Sequence, residues 1–155
     1  MQFNLEGVKK KVHILLVEDS PTDALLTREA FADLDSFPAE VIRVENGVQA
    51  MEYLRQQGAY ANAPRPDLVI LDWNLPRKHG REVLEETKGD DDLKTIPIVV
   101  LSTSRAARDV RSSYQLHANC YIAKPVAFDQ FSDVVKSVRE FWFRTAALPS
   151  DSGEE

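Results

Sequence analysis

A chain of 155 residues is long enough to close one substantial hydrophobic core and leaves no room for a second domain of usual size. Its 43% apolar and 28% charged residues are ordinary for a globular protein, which excludes a disordered or collagen-like chain. The net charge of −6, with no basic block beyond Lys9, Lys10 and Lys11, disfavours groove-tracking nucleic-acid binding.

Val12–Val17 reads as a buried strand, rich in Ile, Leu and Val. Asp19-Ser20-Pro21 then starts a helix with a capping residue and an early proline, and Ala24, Leu25, Ala30, Phe31 and Leu34 recur at helical spacing. Val41–Val44 is a second strand, and Asn46-Gly47 opens a helix through Tyr53 and Leu54. After a long loop, Gln57–Pro66, comes a third strand, Leu68–Leu71, and a short helix around Glu82–Thr87. Ile96–Leu101 is a fourth strand, Ala107–Leu116 a helix, Tyr121–Ala123 a fifth strand, and a long helix runs from Phe128 to Arg144. This βα alternation predicts an α/β fold, a doubly wound five-stranded parallel sheet with five helices, the last one extended. Residues 1–11 read as an N-terminal tail, 12–145 as the domain and 146–155 as a polar C-terminal tail. No apolar run exceeds four residues, against the about 20 that a membrane span needs, and the run after the lysines is cut by Glu18 and Asp19, too early for a signal peptide. The single cysteine, Cys120, has no internal disulfide partner, which suits a reducing compartment. A cytoplasmic protein without membrane contact is expected.

The chemistry follows the strands. The first runs into Glu18-Asp19, the third into Asp72, the fourth into Ser102-Thr103 and the fifth into Lys124-Pro125. In an open parallel sheet these positions meet at the carboxyl edge, where ligands bind. Glu18, Asp19 and Asp72 are hard oxygen donors whose mutual repulsion calls for a cation, and Mg²⁺ fits. The metal would screen Asp72 so that its oxygen can attack a phosphoryl group and form an acyl-phosphate. Lys124 can neutralise the phosphoryl oxygens, with the hydroxyls of Ser102 and Thr103 at hand to donate hydrogen bonds. His13, His79 and His117 show no metal-ligand spacing, and Gly47 and Gly80 no phosphate-loop spacing. Trp73 reads as a lip of the crevice and Cys120 as buried and inert.

The chain resembles the response-regulator receiver domains of two-component signalling over roughly residues 12 to 143. The resemblance rests on Glu18-Asp19, on Asp72-Trp73-Asn74-Leu75-Pro76 followed by Gly80, on Ser102, and on Tyr121-Ile122-Ala123-Lys124-Pro125. Three further stretches resemble the single-domain regulators paired with phytochrome histidine kinases: Tyr60–Asp67, Leu101-Ser102-Thr103-Ser104, and Phe141-Trp142-Phe143 before Thr145–Pro149. The resemblance implies a flavodoxin-like sheet of order 2-1-3-4-5. It makes Asp72 the acceptor of phosphate from a sensor kinase's phosphohistidine. It has Asp19, Asp72 and the Asn74 main-chain carbonyl hold Mg²⁺, with Glu18 assisting. Lys124 contacts the phosphoryl group across a cis Lys124–Pro125 bond, and Ser102 and Tyr121 act as the switch. Such a protein is a phosphoacceptor that takes part in its own phosphoryl transfer and autodephosphorylation, rather than an enzyme. Three positions depart from the common pattern: Glu18 stands for Asp, His79 for Asp before Gly80, and Ser102 for Thr.

The competing reading is an Mg²⁺-dependent phosphatase of the haloacid dehalogenase type, which also uses an Asp nucleophile after a strand. It wants a second Asp two residues on as general acid, where this chain has Asn74. In the last helix, Phe128, Phe131, Val135, Val138 and Trp142 follow core spacing, while Val134, Phe141 and Phe143 fall partly off it and Leu148 beyond. That surplus, with the resemblance, suggests a twofold homodimer through the C-terminal helix and fifth strand, with Phe141, Trp142 and Phe143 in the interface.

Overall fold

The computed structural model of the protein describes residues 11–32 and 39–149. Among the described residues five strands alternate with five helices: β1 Val12–Val17, α1 Pro21–Phe31, β2 Ala39–Val44, α2 Gly47–Leu54, β3 Leu68–Leu71, α3 Gly80–Lys88, β4 Ile98–Ser102, α4 Ala107–Gln115, β5 Cys120–Ala123 and α5 Phe128–Glu140. Neighbouring strands are parallel, and their order is β2-β1-β3-β4-β5, as expected. Leu34 and the tail residues 1–10 and 150–155 lie outside the described residues.

The strands are apolar on both faces because both are covered. Leu15, Val17, Val69, Leu71, Ile98 and Val100 point to the layer holding Met51, Leu54, Val83 and Leu84 of α2 and α3. Ile14, Leu16, Leu68, Ile70, Val99 and Leu101 point the other way, to Phe31 of α1 and Phe131, Val135 and Val138 of α5. Helix starts are pinned by side chains: Ser20 accepts the Asp23 N–H at 3.2 Å, Asn46 that of Gln49 at 2.9 Å, and His79 Nδ1 that of Arg81 at 3.0 Å. At the sheet's free edge the Tyr114 hydroxyl accepts the Tyr121 N–H of β5 at 3.1 Å.

Register sets the working edge. Val17 lies opposite both Val44 and Leu71, so Glu18 and Asp72 leave adjacent central strands at one level. Ser102 pairs with Ala123, which brings Lys124 to the same edge.

The C-terminal end departs from the expected helix. After Glu140 the chain winds into a π-helical turn, Phe141–Thr145, with Ala146 N–H reaching Phe141 C=O at 2.7 Å. The wider turn carries the inward stripe one residue past Trp142. Phe143, expected at an interface, is 0% exposed and packs on Phe31 with ring centroids 5.8 Å apart. Leu148, expected in the polar tail, is also buried in this layer. Phe128, expected in the core, is instead 62% exposed, because as the first residue of α5 it stands at the rim of a surface groove, a turn ahead of the buried Phe131. Trp142 is partly buried and Phe141 is 52% exposed.

Candidate functional site

Glu18, Asp19 and Asp72 come together: one carboxylate oxygen from each lies within 4.8 Å of the others. Glu18 and Asp72 are buried and Asp19 is exposed. Lys124, also buried, reaches into the cluster. Its Nζ donates to Glu18 Oε1 at 2.7 Å and to Asp23 Oδ2 at 3.0 Å, and stands 3.7 Å from Asp72 Oδ2. Glu18 also accepts the Ser20 N–H at 3.1 Å.

The electrostatics follow from burying several carboxylates with one ammonium. Burial pushes the Glu18 carboxyl up to about 7, with the Lys124 hydrogen bond opposing and the Asp72 charge adding to the rise. Burial likewise raises Asp72 above the ordinary carboxylate range, against the pull of Lys124. Burial pulls the Lys124 ammonium down, but Asp72, Glu18 and Asp23 outweigh it and leave its pKa raised. The site therefore holds more negative charge than its lysine balances. A compact all-oxygen donor set with this imbalance fits a hard divalent cation.

The acceptor segment is built by close packing. Gly80 N–H donates to Trp73 C=O at 2.8 Å, and a Cβ on Gly80 would lie 2.5 Å from the Asp72 carbonyl oxygen. From the other side, a Cβ on Gly47 would meet the Lys78 carbonyl oxygen at 2.0 Å. These two glycines let helices α3 and α2 press against the segment that follows β3. Trp73, expected at the lip, is buried beneath it in the core, edge-on to His79 at 5.4 Å. His79 Nε2 is 3.3 Å from Asn74 Oδ1.

Ser102 is buried, and its Oγ accepts the Ser104 N–H at 3.2 Å. Tyr121 is partly buried, and its hydroxyl donates to Ser104 C=O at 2.8 Å, so both candidate switch residues grip the same loop residue. Thr103 is exposed and lines a groove of about 510 Å³ beside the site, with Asp23, Arg105, Lys124, Val126 and Phe128. The Lys124–Pro125 bond is trans, contrary to the expected cis form; a trans bond is the cheaper state of any X–Pro pair. Cys120, expected to be buried, is half-buried, and burial pushes its thiol up, with a Tyr114 hydrogen bond opposing.

Three supports escaped the sequence reading. Asp23 pairs with Lys124. Arg43 on β2 donates to the Glu18 carbonyl at 2.9 Å and the Asp19 carbonyl at 3.2 Å, fixing the loop that presents the acidic pair. Arg105 donates to the Lys124 carbonyl at 3.0 Å. Only Asp23 carried a signal, as a third acidic residue near Glu18-Asp19 in the first turn of α1.

Comparison with known proteins agrees with this geometry. The family described as the response regulator receiver domain matches residues 14–136. Response regulator Rcp1 of Synechocystis sp. is 47% identical over 137 residues, 88% of this chain and 92% of that protein. The crystal structure of the phosphorylated cyanobacterial phytochrome response regulator RcpA superposes with a TM-score of 0.88 at 53% identity, over 90% of this chain and 99% of that one. The Mn²⁺-bound form of Rcp1 gives 0.86 at 46% identity, over 89% and 99%. A metal-bound relative and the acidic cluster here together support a divalent-cation site. No helix among the described residues is long and apolar enough to cross a membrane. A family match spanning most of the chain, with relatives this similar over nearly their whole length, establishes that the protein belongs to the response regulator receiver domain family.

Proposed function

We propose that Asp72 accepts a phosphoryl group from the phosphohistidine of a sensor histidine kinase of phytochrome type, in the cytoplasm and with Mg²⁺ as the cation. The observation that carries this reading is the convergence of three carboxylates within 4.8 Å, with the Lys124 ammonium 3.7 Å from Asp72. Similarity to a cyanobacterial phytochrome response regulator supports the kinase class.

Asp19, Asp72 and the Asn74 main-chain carbonyl would hold the cation, with Glu18 assisting. When bound, it supplies charge neutralisation for the approaching phosphoryl group. The remaining work is done by the chain. Lys124 donates to the phosphoryl oxygens, and Ser102 turns its hydroxyl toward them, releasing the Ser104 N–H it now accepts. Tyr121, tied to the same residue, responds with that loop, so new charge on Asp72 changes the surface around α4 and β5. Thr103, next to Ser102 and in the same groove as Lys124, offers a second hydroxyl to the phosphoryl oxygens. Hydrolysis of the aspartyl phosphate resets the switch. The output is a change in protein contacts, including a homodimer built on α5 and Phe141.

The test is labelling by an autophosphorylated phytochrome kinase. Wild type acquires label in Mg²⁺ and loses it in a chelator. Asp72→Asn, nearly the same shape, stays unlabelled while its circular dichroism matches wild type. Full labelling of the variant overturns the assignment.

A further inference from the structure

The geometry assigns Asp23 as the positioning residue for Lys124: it holds the ammonium in place for phosphoryl transfer when the cation engages Glu18. This inference rests on the reading of Asp72 and Lys124 given above, and deepens it.

An ammonium has three N–H donors. In this structure one goes to Glu18 at 2.7 Å and one to Asp23 at 3.0 Å. Asp72 at 3.7 Å is too far for a hydrogen bond, so it leaves the third donor free while the ammonium stands beside the acceptor. Phosphorylation places new oxygens in that gap, within reach of the remaining donor.

Glu18 and Asp23 are not equivalent partners. Glu18 belongs to the carboxylate cluster able to hold a cation, together with Asp19 and Asp72. A cation that draws on Glu18 weakens its grip on Lys124. Asp23 stands outside that cluster. It lies in the first turn of α1, its main-chain N–H is fixed by the Ser20 hydroxyl at 3.2 Å, and its carboxylate meets Lys124 across 101 positions of sequence. Asp23 therefore remains as an anchor for the ammonium in the cation-bound state. Without it, the long side chain of Lys124 would have several rotamers to search before contacting the phosphoryl group.

The reaction in which this matters is a simple displacement. With acetyl phosphate as donor, an Asp72 carboxylate oxygen forms a bond to phosphorus. The bond from phosphorus to the acetate oxygen breaks, and acetate leaves with the electron pair. No proton has to move. Lys124 neutralises charge on the non-bridging oxygens throughout, so its placement enters the rate directly.

The experiment compares wild type, Asp23→Ala, Asp23→Glu and Lys124→Met. It measures loading by acetyl phosphate, affinity for beryllofluoride as an equilibrium mimic of the phosphoryl group, Mg²⁺ affinity by calorimetry, and thermal melting. Asp23→Ala is expected to lower both the loading rate and beryllofluoride affinity about tenfold. Mg²⁺ affinity stays within about twofold of wild type, since Asp23 is no cation ligand. Asp23→Glu, which keeps the charge, recovers most of the loss. Wild-type loading and beryllofluoride binding in Asp23→Ala, beside an impaired Lys124→Met, would overturn the role of Asp23 alone. A change in melting only would do the same, reducing Asp23 to a favourable charge at a helix start. Normal loading of Lys124→Met would instead sink the underlying reading of the lysine.

Discussion

Glu18 shows how one buried side chain ties the site to solution conditions. Its carboxyl titrates near 7 in the folded protein because burial penalises the charge, against an ordinary value of 4.5. A carboxyl whose pKa is raised by folding binds its proton more tightly in the folded state, so the metal-free protein loses stability as pH rises from about 4.5 to about 7. Above that window the full penalty persists, and a bound cation removes it. In chelator, Glu18→Gln should flatten the fall of melting temperature across this window relative to wild type. At pH 8, added Mg²⁺ should raise the melting temperature of wild type more than that of the variant. A variant whose pH profile superposes on wild type in chelator would contradict this account of Glu18. The acidic pair, Asp72 and Lys124 were readable because each immediately follows an apolar strand, and strand ends in a parallel sheet share one edge. The pairings of Asp23 with Lys124 and of Arg43 with the acidic loop were not readable. Their partners lie 101 and about 25 positions away, and it is the β1–β2 register that sets Arg43 beside the loop after β1 and the folding of the whole sheet that sets Asp23 beside Lys124.

At the scale of elements, two glycines determine how tightly α2 and α3 grip the acceptor segment. Gly80→Ala would drive a methyl group to 2.5 Å from the Asp72 carbonyl oxygen, a main-chain atom that cannot turn aside. The cost is about 1–3 kcal/mol of stability. Because the clash falls on the acceptor itself, phosphoryl loading should drop more than the fraction of unfolded protein explains. Loading that tracks stability alone would show that the segment relaxes freely. The sequence pattern of strands and helices was nearly complete, because both signals are local and periodic. The end of α5 was not, because a reading at 3.6 residues per turn cannot foresee a π-helical turn. That one widening moves Phe143 from the expected interface into the core beside Phe31.

For the whole molecule, the distinction between Phe141 and Phe143 becomes a test of assembly. Phe141 is exposed and T-stacked on Trp142 at 5.2 Å, whereas Phe143 is fully buried. Light scattering after gel filtration should find a dimer of the 17.5 kDa chain, and Phe141→Glu should convert it to a folded monomer. Phe143→Ala should instead cost about 3–5 kcal/mol of stability by leaving a cavity against α1. A wild-type monomer unaffected by Phe141→Glu would reject the dimer.

The hydrogen bond from Tyr121 N–H to the Tyr114 hydroxyl limits what such a dimer can be. β5 is an outer strand, and an outer strand with free donors invites another strand to dock along it. Here a phenol on the neighbouring helix already occupies one of those donors, so an approaching backbone would have to evict it. At β5, two copies then meet more readily through side chains than by joining strands. In Tyr114→Phe the Tyr121 amide should exchange with deuterium faster than in wild type, and the protein should become more prone to ordered aggregation. The same tyrosine thus favours reversible, side-chain recognition over strand pairing along β5.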